Sequence, residues 1–236
     1  KRDQCTKHIV QIADYLYQKE VSTGKYMHLD IEPEPDGVLE DFQEFIDWYG
    51  QELIPMAVSY FREKGKLDGD QTKAIINRYI CLCYDVCHFA LEYEDHRKCM
   101  DQLEALHIKI GKFQISSALK ISLSNDPEVR LQQKDKLKEF NEPIYLHQDA
   151  LNDSNDANHV EWRSHFHVPI FLESYGQLDS TQQDILKVVE LQKEKPRTNQ
   201  IEVETYTWGV LPKSLQVPIE ESISREINWL LDKIKG

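Results

Sequence analysis

The sequence predicts an α/β fold in which strands and helices alternate around a parallel sheet. Three observations carry that prediction. Strand-like and helix-like segments alternate five times along the 236 residues, the pattern expected of βαβ crossovers. The run ICLCYDVCHFA (80–90) is almost wholly apolar, as in a strand buried on both faces. Each of the five strands carries a polar residue at or near its C-terminal end, where a parallel α/β barrel gathers its chemistry.

The elements follow in order. CTKHIVQIADYLYQKE (5–20) reads as a helix whose apolar positions Ile9, Ile12, Ala13 and Leu16 recur at helical spacing. GKYMHLDIEPEPDG (24–37) passes from a Gly stop through a short strand into a turn rich in Pro, Asp and Gly. VLEDFQEFIDWYGQELIPMAVSYF (38–61) is helical by period, and GDQTKAIINRY (69–79) is a second helix with Asp70 as its expected N-cap. The apolar strand 80–90 comes next, then the helix HRKCMDQLEALHI (96–108) and the strand KIGKFQISSAL (109–119). Residues 121–160 are polar, with one helix around 127–140, and read as a lid-like excursion above the sheet. VEWRSHFHVPIF (160–171) is a strand, STQQDILKVVELQKEK (180–195) a helix with a Ser or Thr cap, and NQIEVETYTW (199–208) the last strand. PIEESISREINWLLDKI (218–234) closes as a Pro-led helix. The whole is read as a single domain over 1–236.

Charge narrows the function classes. Forty-one acidic residues against 28 basic ones leave a net charge of −13, which argues against nucleic acid as a partner because phosphate neutralisation needs clustered Lys and Arg. No stretch has the ~18 apolar residues of a membrane helix. Cys5, Cys81, Cys83, Cys87 and Cys99 are odd in number and mostly set in apolar surroundings. That is the usage of a reduced, cytoplasmic protein rather than a disulfide framework.

The polar residues at the strand ends form the candidate site. They are Glu32, Asp85 with His88, Gln114, His165 with His167, and Glu204. Alternate side chains of a strand share a face, so His165 and His167 sit side by side while Phe166 and Val168 point into the layer behind. A convergent Glu, Asp, His, His, Glu set suits a divalent metal, Zn, Mn or Co, better than Ca²⁺. Arg163 shares parity with His165 and is a candidate for an acidic or phosphorylated substrate group. Tyr206 and Trp208 share parity with Glu204 and are candidates to stack on a ring. Asp30 and Glu202 are the alternative ligands if the register shifts by two. The many helices and only nine glycines weigh against a cupin, and the late position of the His-x-His pair weighs against a zinc amidohydrolase.

The ordered series DIEPEP, CYDVCHFA, FQISSAL, HFHVPIF and EVETYTW resembles the xylose-isomerase-like TIM barrels, the superfamily of sugar phosphate isomerases, epimerases and endonuclease IV. Within it the chain resembles the EboE branch, the metabolite traffic proteins. The resemblance implies a parallel (β/α) TIM barrel of eight strands, of which five are counted here, so roughly three βα units are expected to be missing from this chain. It implies Glu32, Asp85, His88, His165, His167 and Glu204 as metal ligands, and Glu32 and Glu204 as the catalytic pair. Those two would move a proton at the carbon next to a carbonyl of a small polyhydroxy or carbonyl metabolite while the metal polarises the carbonyl. Gln114 stands where the superfamily usually has a His, and is read as substrate-binding. A non-catalytic metabolite-binding protein with pathway-protein partners is the alternative, and an endonuclease IV-like phosphodiester hydrolase a lesser one.

Overall fold

In the computed structural model, residues 1–65, 67–137, 161–175, 178–211, 213 and 216–236 are described. The helices are α1 (Arg2–Thr23), α2 (Phe42–Trp48), α3 (Ile54–Glu63), α4 (Gly69–Tyr79), α5 (Val86–Leu91), α6 (His96–Ala105), α7 (Pro127–Leu137), α8 (Gln182–Glu194) and α9 (Ile219–Lys235). The strands are β1 (Leu29–Ile31), β2 (Ile80–Asp85), β3 (Ile110–Ile115), β4 (Ala118–Ser122), β5 (Glu161–His167), β6 (Ser174–Tyr175), β7 (Leu178–Ser180) and β8 (Ile201–Val203). The chain divides into two units: Lys1–Tyr84 with Arg97–Phe113 and Arg197–Gln200, and Asp85–His96 with Gln114–Pro196 and Ile201–Gly236.

The first unit is helices against short parallel strands. Helix α1 buries Thr6, Val10, Ala13 and Asp14, a face that keeps Ala13 of the expected Ile9–Ile12–Ala13–Leu16 stripe but is otherwise rotated from it. Polar partners decide the rotation. Thr6 accepts the Trp48 indole N–H at 3.0 Å, and Asp14 accepts from Tyr60 at 3.1 Å and Lys64 at 2.8 Å. Asp68, not Asp70, caps α4, because only at that position can the carboxylate take the Gln71 N–H (2.8 Å) while the Gln71 side chain returns to the Asp68 N–H (3.2 Å). Phe45, Leu53, Ala57, Phe61, Ile76 and Leu82 are fully buried in this unit. Strand β1 pairs in parallel with β2, Asp30 opposite Cys81.

The second unit is built on an antiparallel sheet of order β5-β4-β7-β6. Against it Leu119, Ile121, Leu123, Trp162, Phe166, Val168, Leu178 and Leu211 form a buried cluster. Pairing of β4 with β5 is irregular: Leu119 faces Ser164 but Ala118 faces His167, so His165 and Phe166 have no opposite residue on β4. Such a bulge bends a strand and re-aims its side chains, and it is common beside functional sites.

These sheets correct the barrel expectation. A TIM barrel needs strands that are all parallel and close on themselves. Here the described strands form a parallel sheet of order β1-β2-β3-β8 and a separate antiparallel one. The His-x-His strand, expected to be the fourth parallel strand, is β5 of the antiparallel sheet. The physical cause lies in the FQISSAL stretch, which is two strands rather than one. β3 ends at Ile115, Ser116 and Ser117 turn the chain, and β4 starts a new sheet at Ala118. ICLCYDVCHFA likewise splits, strand to Asp85 and helix from Val86, because the Asp85 carboxylate accepts the His88 N–H at 3.1 Å and caps α5. The terminal strand is Ile201–Val203 only, and Tyr206–Val210 coil into a 3₁₀ helix. Within 121–160, the helix expected around 127–140 is α7, and 138–160 lies outside the described residues. Among the described residues no helix is long and apolar enough to cross a membrane.

Candidate metal centre

The centre forms within the second unit, from residues that three short backbone devices deliver. The cap at the start of α5 fixes His88, the bulge in β5 fixes His165 and His167, and the serine turn after β3 brings Gln114 and Ser116 beside Asp85. His88, His165, His167 and Asp85 are 4%, 1%, 0% and 0% exposed. The three imidazoles surround one point: ring centroids lie 4.8 Å apart for His88 and His165, 5.9 Å for His88 and His167, and 5.6 Å for His165 and His167. One ring nitrogen from each lies within 4.8 Å of the other two.

The shortest of these approaches is diagnostic. His88 Nε2 and His165 Nε2 are 3.1 Å apart. Two lone pairs repel at that distance, so either one nitrogen donates a proton to the other or both face a cation. Two imidazole nitrogens bound tetrahedrally to zinc at ~2.0–2.1 Å stand roughly 3.3 Å from each other, close to what is seen. Asp85, Cys87 and His167 form a second overlapping donor group of the same spread. Buried His, Asp and Cys side chains thus make a set able to hold a metal ion.

A carboxylate network braces the set. Asp85 Oδ1 accepts from the Ser116 hydroxyl at 2.6 Å and its Oδ2 accepts from the Gln114 amide at 2.8 Å. Burial pushes the Asp85 carboxyl upward, but the His88 and His167 imidazoles, the Ser116 hydroxyl and the His88 N–H outweigh that and hold it below its ordinary value. The same Gln114 amide donates to Glu204, so one side chain ties both carboxylates. Burial, with Asp85 and Glu204 adding to it, keeps the Cys87 thiol well above its ordinary value. The Cys87 N–H donates to Ser116 Oγ at 3.0 Å. Behind the site, Thr207 donates to the His167 carbonyl, which anchors the end of β5 to the 3₁₀ helix.

The other anticipated residues fall differently. Glu32 is exposed and belongs to the first unit. Arg163 does share the face of His165, but its guanidinium is engaged by Glu161 at 2.9 Å, Asp184 at 3.6 Å, the Ala90 carbonyl and the Tyr93 ring. These contacts tie β5 to α5 and α8. Trp208 packs against the apolar cluster beneath β5; the strand ends before it, which breaks its supposed parity with Glu204. Tyr206 lies in the same 3₁₀ turn. Glu204 itself lines a cavity of about 530 Å³ whose walls also include Trp208, Ile223, Ile227 and Leu230 and a second carboxylate, Glu226. His147 and His159, which the sequence places in loops with solvation as their default reading, lie outside the described residues.

Sequence reasoning missed Ser116 as a member of the site and read Cys87 as a core residue, where it also stands in a donor group with Asp85 and His167. The signal for Ser116 was present: two adjacent serines inside an apolar run are poor strand residues, and they mark a turn whose hydroxyls are needed elsewhere. Comparison of the chain with known protein families, with characterised proteins and with solved structures finds no match.

Proposed function

We propose that the second unit holds a divalent transition metal on His88, His165 and His167, and that the protein uses it in a proton-transfer reaction of the isomerase or epimerase type on a small carbonyl metabolite. The observation that carries this reading is the trio of buried imidazoles with two nitrogens 3.1 Å apart. Nitrogen-rich sites with an adjacent carboxylate suit Zn, Mn or Co. Bound there, the ion would polarise a substrate oxygen and lower the acidity barrier at the neighbouring carbon.

The chain's own groups supply the rest. Asp85 holds α5, and with it His88, through the cap bond. Gln114 donates to the Glu204 carboxylate, and Glu204 also lines the cavity. Glu204 is therefore the residue we assign as general base and acid, taking a proton from the substrate and returning it. The apolar walls of the cavity favour a metabolite with a hydrocarbon portion over one that is polar all round.

Elemental analysis of the purified chain beside a His165→Ala/His167→Ala variant tests the metal. Near-stoichiometric metal in the first and loss in the second is the expected result; absence of metal from both refutes the centre. Solvent-deuterium exchange into candidate carbonyl metabolites, with Glu204→Gln as control, tests the chemistry. Retained metal without exchange would leave a metabolite-binding protein as the better description.

A further inference from the structure

A second cluster of metal-ligating side chains stands in the first unit and shares no residue with the histidine centre. His28, Asp30 and Cys81 place an imidazole nitrogen, a carboxylate oxygen and a sulfur within 4.8 Å of one another. The backbone produces this directly. Asp30 and Cys81 are register partners on the parallel strands β1 and β2, so their side chains leave the same face side by side. His28 lies two residues before Asp30 and turns Nδ1 to Asp30 Oδ1 at 2.5 Å.

Two further features shape the cluster. Gly111 in β3 has no Cβ, and one built there would lie 1.9 Å from Asp30 Oδ1 and 2.4 Å from its Cγ. The carboxylate thus occupies room that only glycine leaves in that strand. The Arg78 guanidinium is held by Glu20 (Nε to Oε2, 2.9 Å) and stacked on the Tyr26 ring at 4.3 Å. Tyr26 in turn donates to the Arg78 carbonyl at 2.7 Å and lies 5.5 Å from the His28 ring, walling the cluster on one side.

We propose that His28, Asp30 and Cys81 form a zinc site. Nitrogen, oxygen and sulfur donors together fit Zn²⁺ and exclude Mg²⁺ and Ca²⁺, which take oxygen alone. Cys81 is buried while His28 and Asp30 are half-buried, so a fourth position is open to water or to a ligand from solution.

Cobalt titration of the metal-stripped full chain tests this, with the His165→Ala/His167→Ala variant silencing the other centre. One equivalent of Co²⁺ should bind with a thiolate-to-cobalt charge-transfer absorption in the near ultraviolet. Adding Cys81→Ser should abolish that absorption and weaken binding at least tenfold. No absorption, or one that survives Cys81→Ser, overturns the proposal. His28→Ala, a half-buried position, makes the same test in the otherwise intact chain. Loss of one cobalt equivalent together with the thiolate band supports the site, and retention of both overturns it. Since the histidine centre lies on other residues, failure here leaves that centre's own test unaffected.

Discussion

Removing the Asp85 carboxylate tests whether the brace around the histidine centre is organised as described. Asp85 takes three donors: the Ser116 hydroxyl at 2.6 Å, the Gln114 amide at 2.8 Å and the His88 N–H at 3.1 Å. Asp85→Ala deletes an N-cap, at a cost of about 1 kcal/mol. It also strands two buried donors, at about 1–3 kcal/mol each. Relief of the carboxylate's own burial returns part of this, and the net expectation is about 3 kcal/mol, a large share of the ~5–15 kcal/mol that holds a typical domain. Asp85→Asn separates the contributions. Its Oδ1 still accepts from Ser116 and His88, but its amide meets the Gln114 amide donor to donor. Gln114 must then turn over and give up Glu204, so Asn costs about 1–2 kcal/mol. Urea unfolding followed by circular dichroism, with chelator present so that metal binding does not enter, reads both values. A loss below about 1 kcal/mol for Ala, or equal losses for Ala and Asn, would refute the reasoning.

Phe166 is 1% exposed within the β4–β5 cluster, so Phe166→Ala should cost about 3–5 kcal/mol in the same unfolding assay; a cost under 2 kcal/mol would mean that the cluster collapses around the gap. Asp184 gives a pH signature. Burial raises its carboxyl, but hydrogen bonds from His96 and Lys187 outweigh this and hold it at about 2 against an ordinary 3.8. A folded-state value below the unfolded one contributes stability above the unfolded value, and that stability is lost as pH falls through the folded value. About 2 kcal/mol should therefore disappear between pH 4 and pH 2, and Asp184→Asn should flatten that part of the stability curve; an unchanged slope counts against it. Gly111→Ala forces Asp30 off His28, since the new Cβ would overlap the carboxylate, and should cost about 1 kcal/mol by urea midpoint. An unchanged midpoint would show that the carboxylate moves aside freely.

Much of the element order was legible because amphipathic helices announce themselves by period. The segments 180–195 and 218–234 coincide with α8 and α9 to within two residues. What the pattern does not encode is strand direction. A run such as FQISSAL has the same composition whether it crosses one sheet or changes sheets midway, and the change here is made by hydroxyl bonding, not by hydrophobicity. Elements buried all round lose their period as well. Every residue of Val86–Leu91 is buried, so an apolar helix of one and a half turns looked like the continuation of β2. The alternation argument worked where a face is single-sided: His165 and His167 do line one face, with Phe166 and Val168 in the cluster behind. It failed for Trp208, because parity has meaning only while the chain stays extended.

The same residues that hid the topology assemble the site. Ser116 ends β3, and its hydroxyl is then spent on Asp85 and the Cys87 N–H, which sets the first turn of α5. That turn carries His88. Ser117 accepts the Val168 N–H at 2.9 Å through its carbonyl, and this seats the end of β5 just past His167. Gln114 completes the arrangement, since a neutral carboxamide has two N–H groups on one nitrogen and can donate to Asp85 and Glu204 at once. An apolar side chain there would leave two carboxylates facing each other in a site of low dielectric, where like charges are costly. A cationic one would compete with any metal ion for the same oxygens. Glutamine answers both carboxylates without adding a charge. By that logic its place on the strand serves the centre as a positioning residue, whether or not a substrate ever touches it.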